Sequence, residues 1–321
     1  MSNAWKKGLI LMIKNLPKIA LGAWAWGNDG TFGDNYTASE LKNVYEEAMK
    51  RGLNLWDTAF VYGMGTSEKI LGELSKNTAS DKIIFSTKFT PQCDDGSEEP
   101  MLHMLEGSLK NLNTDIIDIW WIHNPMDVER YTPMLIPLAK SGKIRKIGVS
   151  NHNLAEIKRA NEILNKAGLK ISAVQNHFSL LNRSSEDSGI LKYCKENDIT
   201  FFSYMVLEQG ALTGKYNTKN PFPTDSDRGK TYNPMMDRIE KLTDVMNKIG
   251  VTHGICTAQV AIAWAIAKGT LPIIGVTKPG QVIDAAQAVD IELTTDEIRV
   301  IENTADSLGL NTIRYWEKKM E

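Results

Sequence analysis

Cysteine is scarce in this chain of 321 residues, and its spacing excludes two kinds of small protein. Cys93, Cys194 and Cys256 form an odd set that contains no Cys-x-x-Cys pair. A disulfide framework needs an even set of cysteines, and a zinc ribbon needs paired thiolates. The five histidines show no ligand spacing such as His-Glu-x-x-His either. We therefore expect reduced thiols, typical of a cytoplasmic protein, and no metal site.

An excess of basic residues is also missing. The 37 Lys and Arg residues are balanced by 39 Asp and Glu residues, which gives a formal net charge of −2. Nucleic acids and anionic membrane surfaces bind proteins that concentrate cations on one face. The sequence therefore predicts neither of them as the main partner.

Long hydrophobic runs are absent as well. The longest stretch without Asp, Glu, Lys or Arg is Ile249–Ala267, and it contains glycine, histidine and glutamine residues that a membrane-spanning helix tolerates poorly. This stretch predicts a buried helix. The apolar segment Leu9–Ile13 is too short for a secretory signal. The sequence thus predicts no association with a membrane.

What the chain does contain is a regular alternation of short, β-branched apolar segments with longer amphipathic ones. This pattern is typical of βα units whose strands form a parallel sheet. The predicted strands are Ile19–Gly22, Leu53–Asp57, Ile83–Lys88, Ile116–Ile122, Ile144–Ser150, Ile171–Gln175, Thr200–Tyr204 and Leu271–Ile274. Eight units over this length favour an α/β fold of the (β/α)8, or TIM barrel, class over a doubly wound sheet.

Several segments lie outside the eight units. Lys7–Lys18 predicts an N-terminal β-hairpin across the bottom of the barrel, Asn233–Ile249 an extra helix after strand 7, and Leu293–Ser307 a C-terminal helix. The proline-containing stretch Gly214–Pro234 predicts a long loop at the C-terminal face. We expect residues 1–321 to form a single barrel domain.

Four polar residues follow neighbouring predicted strands, where the active sites of such barrels lie. They are Asp57, Tyr62, Lys88 and His123. A buried Lys88 must be paired to stay charged, and Asp57 is a suitable carboxylate. A cation beside Tyr62 would lower the pKa of its phenol and make it a better proton donor near neutral pH. His123 is placed to orient a polar substrate oxygen.

The turn after the eighth predicted strand has features of an anion site. Gly275–Gly280 opens a helix, so backbone N–H groups and the positive end of the helix dipole are available there. Thr277 and Lys278 add a hydroxyl group and a cation. An ordinary strand-to-helix turn with Pro279 near the helix start explains the same residues equally well.

The motifs at these strand ends resemble those of the aldo-keto reductase superfamily. They are Trp56–Gly63 (WDTAFVYG), Ser86–Lys88 (STK), Ile122–Pro125 (IHNP) and Gly142–Asn151 (GKIRKIGVSN), in the family's order. The resemblance extends from about residue 19 to residue 289. It is greatest to the bacterial branch that is similar to the β-subunits of voltage-gated potassium channels.

The resemblance implies a role for each of the four polar residues. Tyr62 would be the general acid, Lys88 would tune it, and Asp57 would hold Lys88. His123 would orient the substrate carbonyl. The chemistry implied is the reduction of an aldehyde or ketone to an alcohol, with hydride transferred from NADP(H).

The same resemblance implies a cofactor site across the mouth of the barrel. Its residues would be Gly22, Ala23, Trp24, Ser150, Asn151, Gln175, Tyr204, Met205, Leu207, Gly275, Thr277, Lys278 and Gln281. In this set Tyr204 would stack on the nicotinamide ring, and Ser150, Asn151 and Gln175 would hold its carboxamide.

Three departures from the family pattern leave NAD(H) open as an alternative cofactor. Gln281 stands where many members have an arginine that grips the 2′-phosphate, and Ala285 where many have an asparagine near the adenine. The segment Tyr204–Leu207 reads YMVL where the family has YSPL, which affects the pyrophosphate side. Lys278 is the cation available to replace the arginine.

Together these inferences predict a cytoplasmic NADP(H)-dependent oxidoreductase that acts on a small-molecule carbonyl substrate, without an obligate protein partner. Two alternatives stay open: a nicotinamide-binding sensor or accessory subunit with little turnover, and an alcohol or sugar dehydrogenase working in the reverse direction. The substrate pocket is expected to be aromatic and apolar. Its predicted residues are Trp24, Trp26, Phe60 and Trp121, with either Tyr315 or Trp316 near the C-terminus.

Overall fold

The computed structural model describes residues 16–32, 35–314, 317, 318 and 320. Eight parallel strands close into a barrel in chain order, β1 to β8. They are β1 Ala20–Gly22, β2 Leu55–Asp57, β3 Ile84–Phe89, β4 Ile117–Ile122, β5 Ile144–Ser150, β6 Ala173–His177, β7 Thr200–Tyr204 and β8 Leu271–Gly275. The ring closes where Gly22 of β1 pairs with Gly275 of β8. The predicted (β/α)8 barrel is therefore confirmed.

Helices follow the strands around the outside of the barrel. In the described part of the chain they are α1 Ala38–Lys50, α2 Thr66–Ser75, α3 Pro100–Leu112, α4 Val128–Tyr131, α5 Leu135–Lys140, α6 Leu154–Asn165, α7 Ser184–Asp187, α8 Ile190–Glu196, α9 Asp227–Tyr232, α10 Met236–His253, α11 Thr257–Ala267, α12 Pro279–Ala288 and α13 Thr295–Ser307. Several start at capping boxes; in α6, the side chain of Asn153 accepts a hydrogen bond from the backbone N–H of Glu156, and the backbone N–H of Asn153 donates to the Glu156 carboxylate in return.

Large side chains fill the inside of the barrel. The indole of Trp121 packs edge-to-face on Phe202, with ring centroids 5.2 Å apart. Gly148 on the neighbouring strand leaves room for this indole, since a Cβ atom there would lie 2.1 Å from Trp121 Cε3. Because the interior is packed, polar chemistry is confined to the ends of the strands.

The strand predictions agree with the structure to within two residues at each end. The largest shift is in β6, which extends to His177 because Asn176 and His177 pair with Ser203 and Tyr204 of β7. The prediction ended the strand at Gln175 because the next two residues are polar and show no apolar strand pattern. The first part of the predicted hairpin, residues 7–15, lies outside the described residues.

The region after β7 differs from the prediction. The stretch expected to be a long loop contains helix α9, whose N-cap Ser226 accepts a hydrogen bond from the backbone of Gly229 at 2.9 Å. The extra helix begins at Met236 rather than Asn233, because a 3-10 turn that contains Pro234 precedes it. The predicted C-terminal helix is confirmed as α13.

No single helix in the described ranges is long and apolar enough to cross a membrane. One pair of helical segments, Asp227–His253 and Thr257–Ala267, is long and apolar enough when taken together, but the two segments meet at an 88° bend, and the match is one of length and composition only.

Candidate active site

A cleft of about 1000 Å³ opens at the carboxyl ends of the strands. All the predicted catalytic and cofactor residues line it except Ala23 and Lys88. Ala23 is buried in the wall, where its backbone N–H donates to the Asp57 carbonyl and its carbonyl accepts from Ser67 Oγ. Ala23 therefore does not line the cleft, and its contact with the cofactor stays a prediction. Lys88 lies below the floor of the cleft.

Lys88 is completely buried and ion-paired with Asp57. Its Nζ lies 2.5 Å from Asp57 Oδ1, 2.7 Å from the Thr58 carbonyl and 3.4 Å from the hydroxyl of Tyr62. Burial lowers the pKa of Lys88, but the negative charge of Asp57 and the contact with Tyr62 outweigh it, so that the pKa is raised overall. The ammonium group is thus charged at neutral pH and directed at the phenol.

Tyr62 is held over Lys88 by an unusually tight turn. Gly63 adopts a left-handed conformation with φ of 64°, and a Cβ atom there would lie 1.7 Å from the carbonyl oxygen of Gly27. The phenol ring stacks on Trp24, with ring centroids 5.8 Å apart. Burial raises the pKa of Tyr62 by more than the charge of Lys88 lowers it. Lys88 thus acts on this pKa in the predicted direction, but burial decides the net shift, and the phenol is protonated at neutral pH.

His123 faces the same cleft and is neutral. Burial, followed by the positive charge of Lys88, lowers its pKa to about 3. Its Nδ1 lies 3.0 Å from the hydroxyl of Thr90. When Nδ1 accepts the Thr90 proton, Nε2 carries the hydrogen and can donate it to a substrate oxygen.

The second oxygen of Asp57 accepts hydrogen bonds from two residues that the sequence did not indicate as its partners. Asp57 Oδ2 accepts hydrogen bonds from Ser86 Oγ at 2.7 Å and Gln175 Nε2 at 3.1 Å. Ser86 in turn accepts one from Trp121 Nε1 at 2.7 Å. Ser86 and Lys88 are two residues apart on β3, so strand periodicity already places them on one face and could have identified Ser86.

The predicted nicotinamide end is formed by the ends of β5 and β7. Asn151, with φ of 60°, donates to the carbonyl of His123 at 3.0 Å and lies 2.6 Å from the hydroxyl of Tyr204. The same hydroxyl lies 2.8 Å from Glu317 Oε1. Burial, followed by the charge of Glu317, raises the pKa of Tyr204 well above its ordinary value, so this phenol is also neutral.

Three cationic side chains also line the cleft. They are Lys215, Arg228 and Lys278. The Nε of Arg228 and the Nε2 of Gln209 are buried without a hydrogen-bond partner in the described structure. These unpartnered donors, together with the charges of Lys215, Arg228 and Lys278, fit the phosphates of a dinucleotide.

The turn after β8 is arranged differently from the expected phosphate cradle. Gln281 Oε1 accepts hydrogen bonds from the backbone N–H groups of Thr277 and Lys278, at 2.7 and 2.9 Å. Gln281 therefore occupies two donors that an anion would otherwise use. The ammonium group of Lys278 is the remaining cation at this turn.

Only some of the residues predicted for the substrate pocket line the cleft. Trp24 lines the cleft, but Trp26 is buried and donates to the carbonyl of Val276, and Trp121 is inside the barrel. Phe60 does not line the cleft either. The predicted Tyr315 and Trp316 lie outside the described residues. The cleft lining beside Trp24 and His123 includes Phe32, Gln92 and Asn124.

Comparison with known proteins assigns this arrangement to a family. The model of the aldo/keto reductase family matches residues 18–306. A chloroplastic pyridoxal reductase of Arabidopsis thaliana is 30% identical over 305 residues, which cover 89% of this chain and 82% of that protein. An aldo-keto reductase of Schizosaccharomyces pombe whose name specifies NADP(+) is 29% identical and covers 92% of this chain and 91% of its own length.

A solved structure leads to the same assignment. The glycerol dehydrogenase of Gluconobacter oxydans is 26% identical, has a TM-score of 0.81, and the match covers 94% of this chain and 95% of that one. The barrel, the polar residues at its strand ends and the match to the family model together show that this chain belongs to the aldo/keto reductase family.

Proposed function

We propose that this protein is an NADP(H)-dependent oxidoreductase that reduces the carbonyl group of a small aldehyde or ketone, with Tyr62 as the general acid. The observation that carries the proposal is the placement of the protonated Tyr62 hydroxyl in the cleft, 3.4 Å from a fully buried ammonium group. A phenol beside a fixed cation can give up its proton to a developing alkoxide.

Each residue around the phenol has a distinct task in this proposal. Tyr62 donates its proton to the carbonyl oxygen, and Lys88 stabilises the phenolate that forms. Asp57 keeps Lys88 charged and in position. The neutral His123 donates from Nε2 to the same carbonyl oxygen and orients it. When bound, a nicotinamide cofactor supplies the hydride; the proposed chemistry uses no metal.

The choice of NADP(H) rests on the cations that line the cleft. They are Lys215, Arg228 and Lys278, and neither of the two carboxylates in the lining, Asp29 and Asp57, follows β7 or β8. A 2′-phosphate adds negative charge that such a surface attracts. We propose Lys278 as its partner, since Gln281 is engaged with the backbone.

The proposal is tested by Tyr62→Phe. This variant keeps the ring that stacks on Trp24 and loses the hydroxyl, so we expect NADPH to bind within about twofold of wild type while carbonyl reduction falls about 10²–10⁴-fold. A matched control is Tyr45→Phe, which removes a phenol hydroxyl bonded to Thr78 outside the cleft. Reduction of a reactive aldehyde by Tyr62→Phe at the wild-type rate would remove Tyr62 from this role.

The direction of the reaction has a second candidate. The Gluconobacter relative is named as a glycerol dehydrogenase, and the same residues serve alcohol oxidation, since the phenolate of Tyr62 would then accept the proton. Measuring NADPH oxidation with aldehydes and NADP+ reduction with polyols distinguishes the two directions. Cofactor binding without turnover in either assay would favour a nicotinamide-binding sensor instead.

A further inference from the structure

Next to Tyr204 lies a cluster of ionisable side chains that the proposed reaction does not use. We name it the His177 cluster; it consists of His177, Glu208 and Glu317. His177 Nδ1 lies 2.9 Å from Glu317 Oε2, and His177 Nε2 lies 2.8 Å from Glu208 Oε1. All three side chains are at most 2% exposed. Since both ring nitrogens face carboxylate oxygens, only a charged imidazolium donates to both.

The charge on His177 agrees with its surroundings. Burial alone would lower its pKa, but the carboxylates of Glu208 and Glu317 outweigh burial and raise the pKa to about 10. The ion pair with His177 also contributes to a lowered pKa for Glu317, against the effect of burial. A buried charge flanked by two opposite charges is stable only while all three groups keep their partners.

The His177 cluster determines the position of Tyr204 in two ways. The rings of His177 and Tyr204 stack with centroids 5.6 Å apart and planes 28° from parallel. The hydroxyl of Tyr204 lies 2.8 Å from Glu317 Oε1, the carboxylate whose other oxygen faces His177. The ring that lines the cleft is therefore supported from behind, and its polar end is fixed as well.

The cluster also joins segments that are far apart in the chain. Glu208 lies in the loop after β7, with φ of 46°, and accepts from Ser179 Oγ at 2.5 Å and Tyr232 of α9 at 2.8 Å. Thr312 donates to it at 3.1 Å and belongs to the C-terminal segment, by which we mean the described residues after α13 (308–314, 317, 318 and 320). Two described residues of the C-terminal segment, Thr312 and Glu317, thus bond to the same buried cluster.

We propose that His177 is a positioning residue for the nicotinamide site, which anchors the C-terminal segment through Glu317 and thereby fixes Tyr204 in the orientation that stacks on the cofactor ring. The proposal rests on the proposed function, because Tyr204 meets a nicotinamide ring only if the cleft binds the cofactor as the family resemblance implies. His177 does not line the cleft and touches no reacting atom.

The main test is Glu317→Ala, which removes the link to Tyr204 and leaves the His177–Glu208 pair intact. We expect the Kd for NADPH, measured by quenching of tryptophan fluorescence, to rise at least about tenfold, the loss that corresponds to one charge-assisted hydrogen bond. Glu317→Gln keeps an acceptor for the Tyr204 hydroxyl and should restore most of the affinity. The matched control is Lys318→Ala, which breaks the neighbouring ion pair with Glu156 and should change Kd less than about twofold.

A second variant, His177→Phe, keeps the ring stacking and removes both hydrogen bonds. We expect the same loss of affinity from it; if this variant does not fold, Glu317→Ala decides alone. A Kd within about twofold of wild type for a folded Glu317→Ala protein would overturn the proposal. An equal loss in Lys318→Ala would also overturn it, since general docking of the segment would then be the cause.

The failure of this inference is distinguishable from failure of the proposed function. Wild-type turnover of an aldehyde, together with unchanged cofactor binding in Glu317→Ala, would overturn only the role of the His177 cluster. Full activity of Tyr62→Phe, together with weakened cofactor binding in Glu317→Ala, would overturn only the catalytic assignment.

Discussion

Replacing Asp57 with asparagine tests the buried ion pair beneath the cleft. The amide has the shape of the carboxylate but no charge. Asp57 Oδ1 receives Lys88 Nζ, while Oδ2 receives Ser86 and Gln175. In asparagine an amide nitrogen replaces one of these oxygens, and this nitrogen cannot accept a hydrogen bond from Lys88 or from the Ser86 and Gln175 donors. Because Lys88 is completely buried, its charge then lacks a counter-charge and gains nothing from solvent.

The expected cost in folding free energy is about 3–5 kcal/mol at neutral pH, the range for breaking a buried ion pair by removing one partner. The sign of the pH dependence is a stricter test. In the wild type, the raised pKa of Lys88 contributes stability below the unfolded pKa of about 10.4, and this contribution is lost as the pH rises through the folded pKa. In Asp57→Asn, burial without the carboxylate lowers that pKa, so stability increases with pH instead.

The assay is urea unfolding followed by tryptophan fluorescence at about pH 7 and about pH 10. The difference in unfolding free energy between Asp57→Asn and the wild type should be smaller at the higher pH. The control Ser86→Ala removes one hydrogen bond to Asp57 and leaves the charges in place. Its cost of about 1–3 kcal/mol should be the same at both pH values. If Asp57→Asn lost less than about 1 kcal/mol of unfolding free energy, or if the loss did not change with pH, Lys88 would not be a buried charge that depends on Asp57.

Three further predictions concern the packing beneath the site, the proton donor and the cofactor. In Gly148→Ala, the added methyl group collides with the indole of Trp121 and displaces the hydrogen bond from this indole to Ser86. We expect the free energy of unfolding in urea to fall by about 1–3 kcal/mol or more, and kcat to fall as well. Unchanged stability would contradict the close packing of Trp121 on Gly148. Since burial raises the pKa of Tyr62, kcat for carbonyl reduction should stay level up to about pH 9 and fall only at higher pH. The rate of alcohol oxidation should instead rise with pH, because the phenolate is then the base. An inflection below about pH 8 in the pH profile of reduction would argue against Tyr62 as the proton donor. Lys278→Ala should raise the Kd for NADPH about tenfold and that for NADH less than about twofold, and equal effects on both would remove Lys278 from the 2′-phosphate.

The polar residues at the strand ends were predictable from the sequence because strand ends are local features. Lys88 follows a β-branched strand segment, and Asp57 ends another, so their meeting at one end of a parallel barrel follows from topology alone. Trp24 and Trp26 show the limit of this reasoning. The turn after β1 is a 3-10 helix, Trp24–Gly27, with about three residues per turn, so residues two apart point in different directions. Trp24 consequently lines the cleft, while Trp26 is buried in the core.

The His177 cluster had no signal in the sequence at all. Its members lie 31 and 140 positions apart, in a strand, a loop and the C-terminal segment, and each is an ordinary polar residue in its local context. Gln281 is a similar case, since its bonds to the backbone of Thr277 and Lys278 became visible only with the turn itself. Such contacts depend on how the chain returns to the barrel, which periodicity does not describe.

The sequence by itself determined the number of βα units, the class of barrel and the identity of the residues at the strand ends, because these follow from local hydrophobic periodicity and chain order. The tertiary structure alone decided the charge states. Tyr62 has a raised pKa although a cation lies beside it, and His177 has a raised pKa although it is buried. Both outcomes are balances between desolvation and nearby charge, and these quantities are defined only once the surrounding side chains are in place.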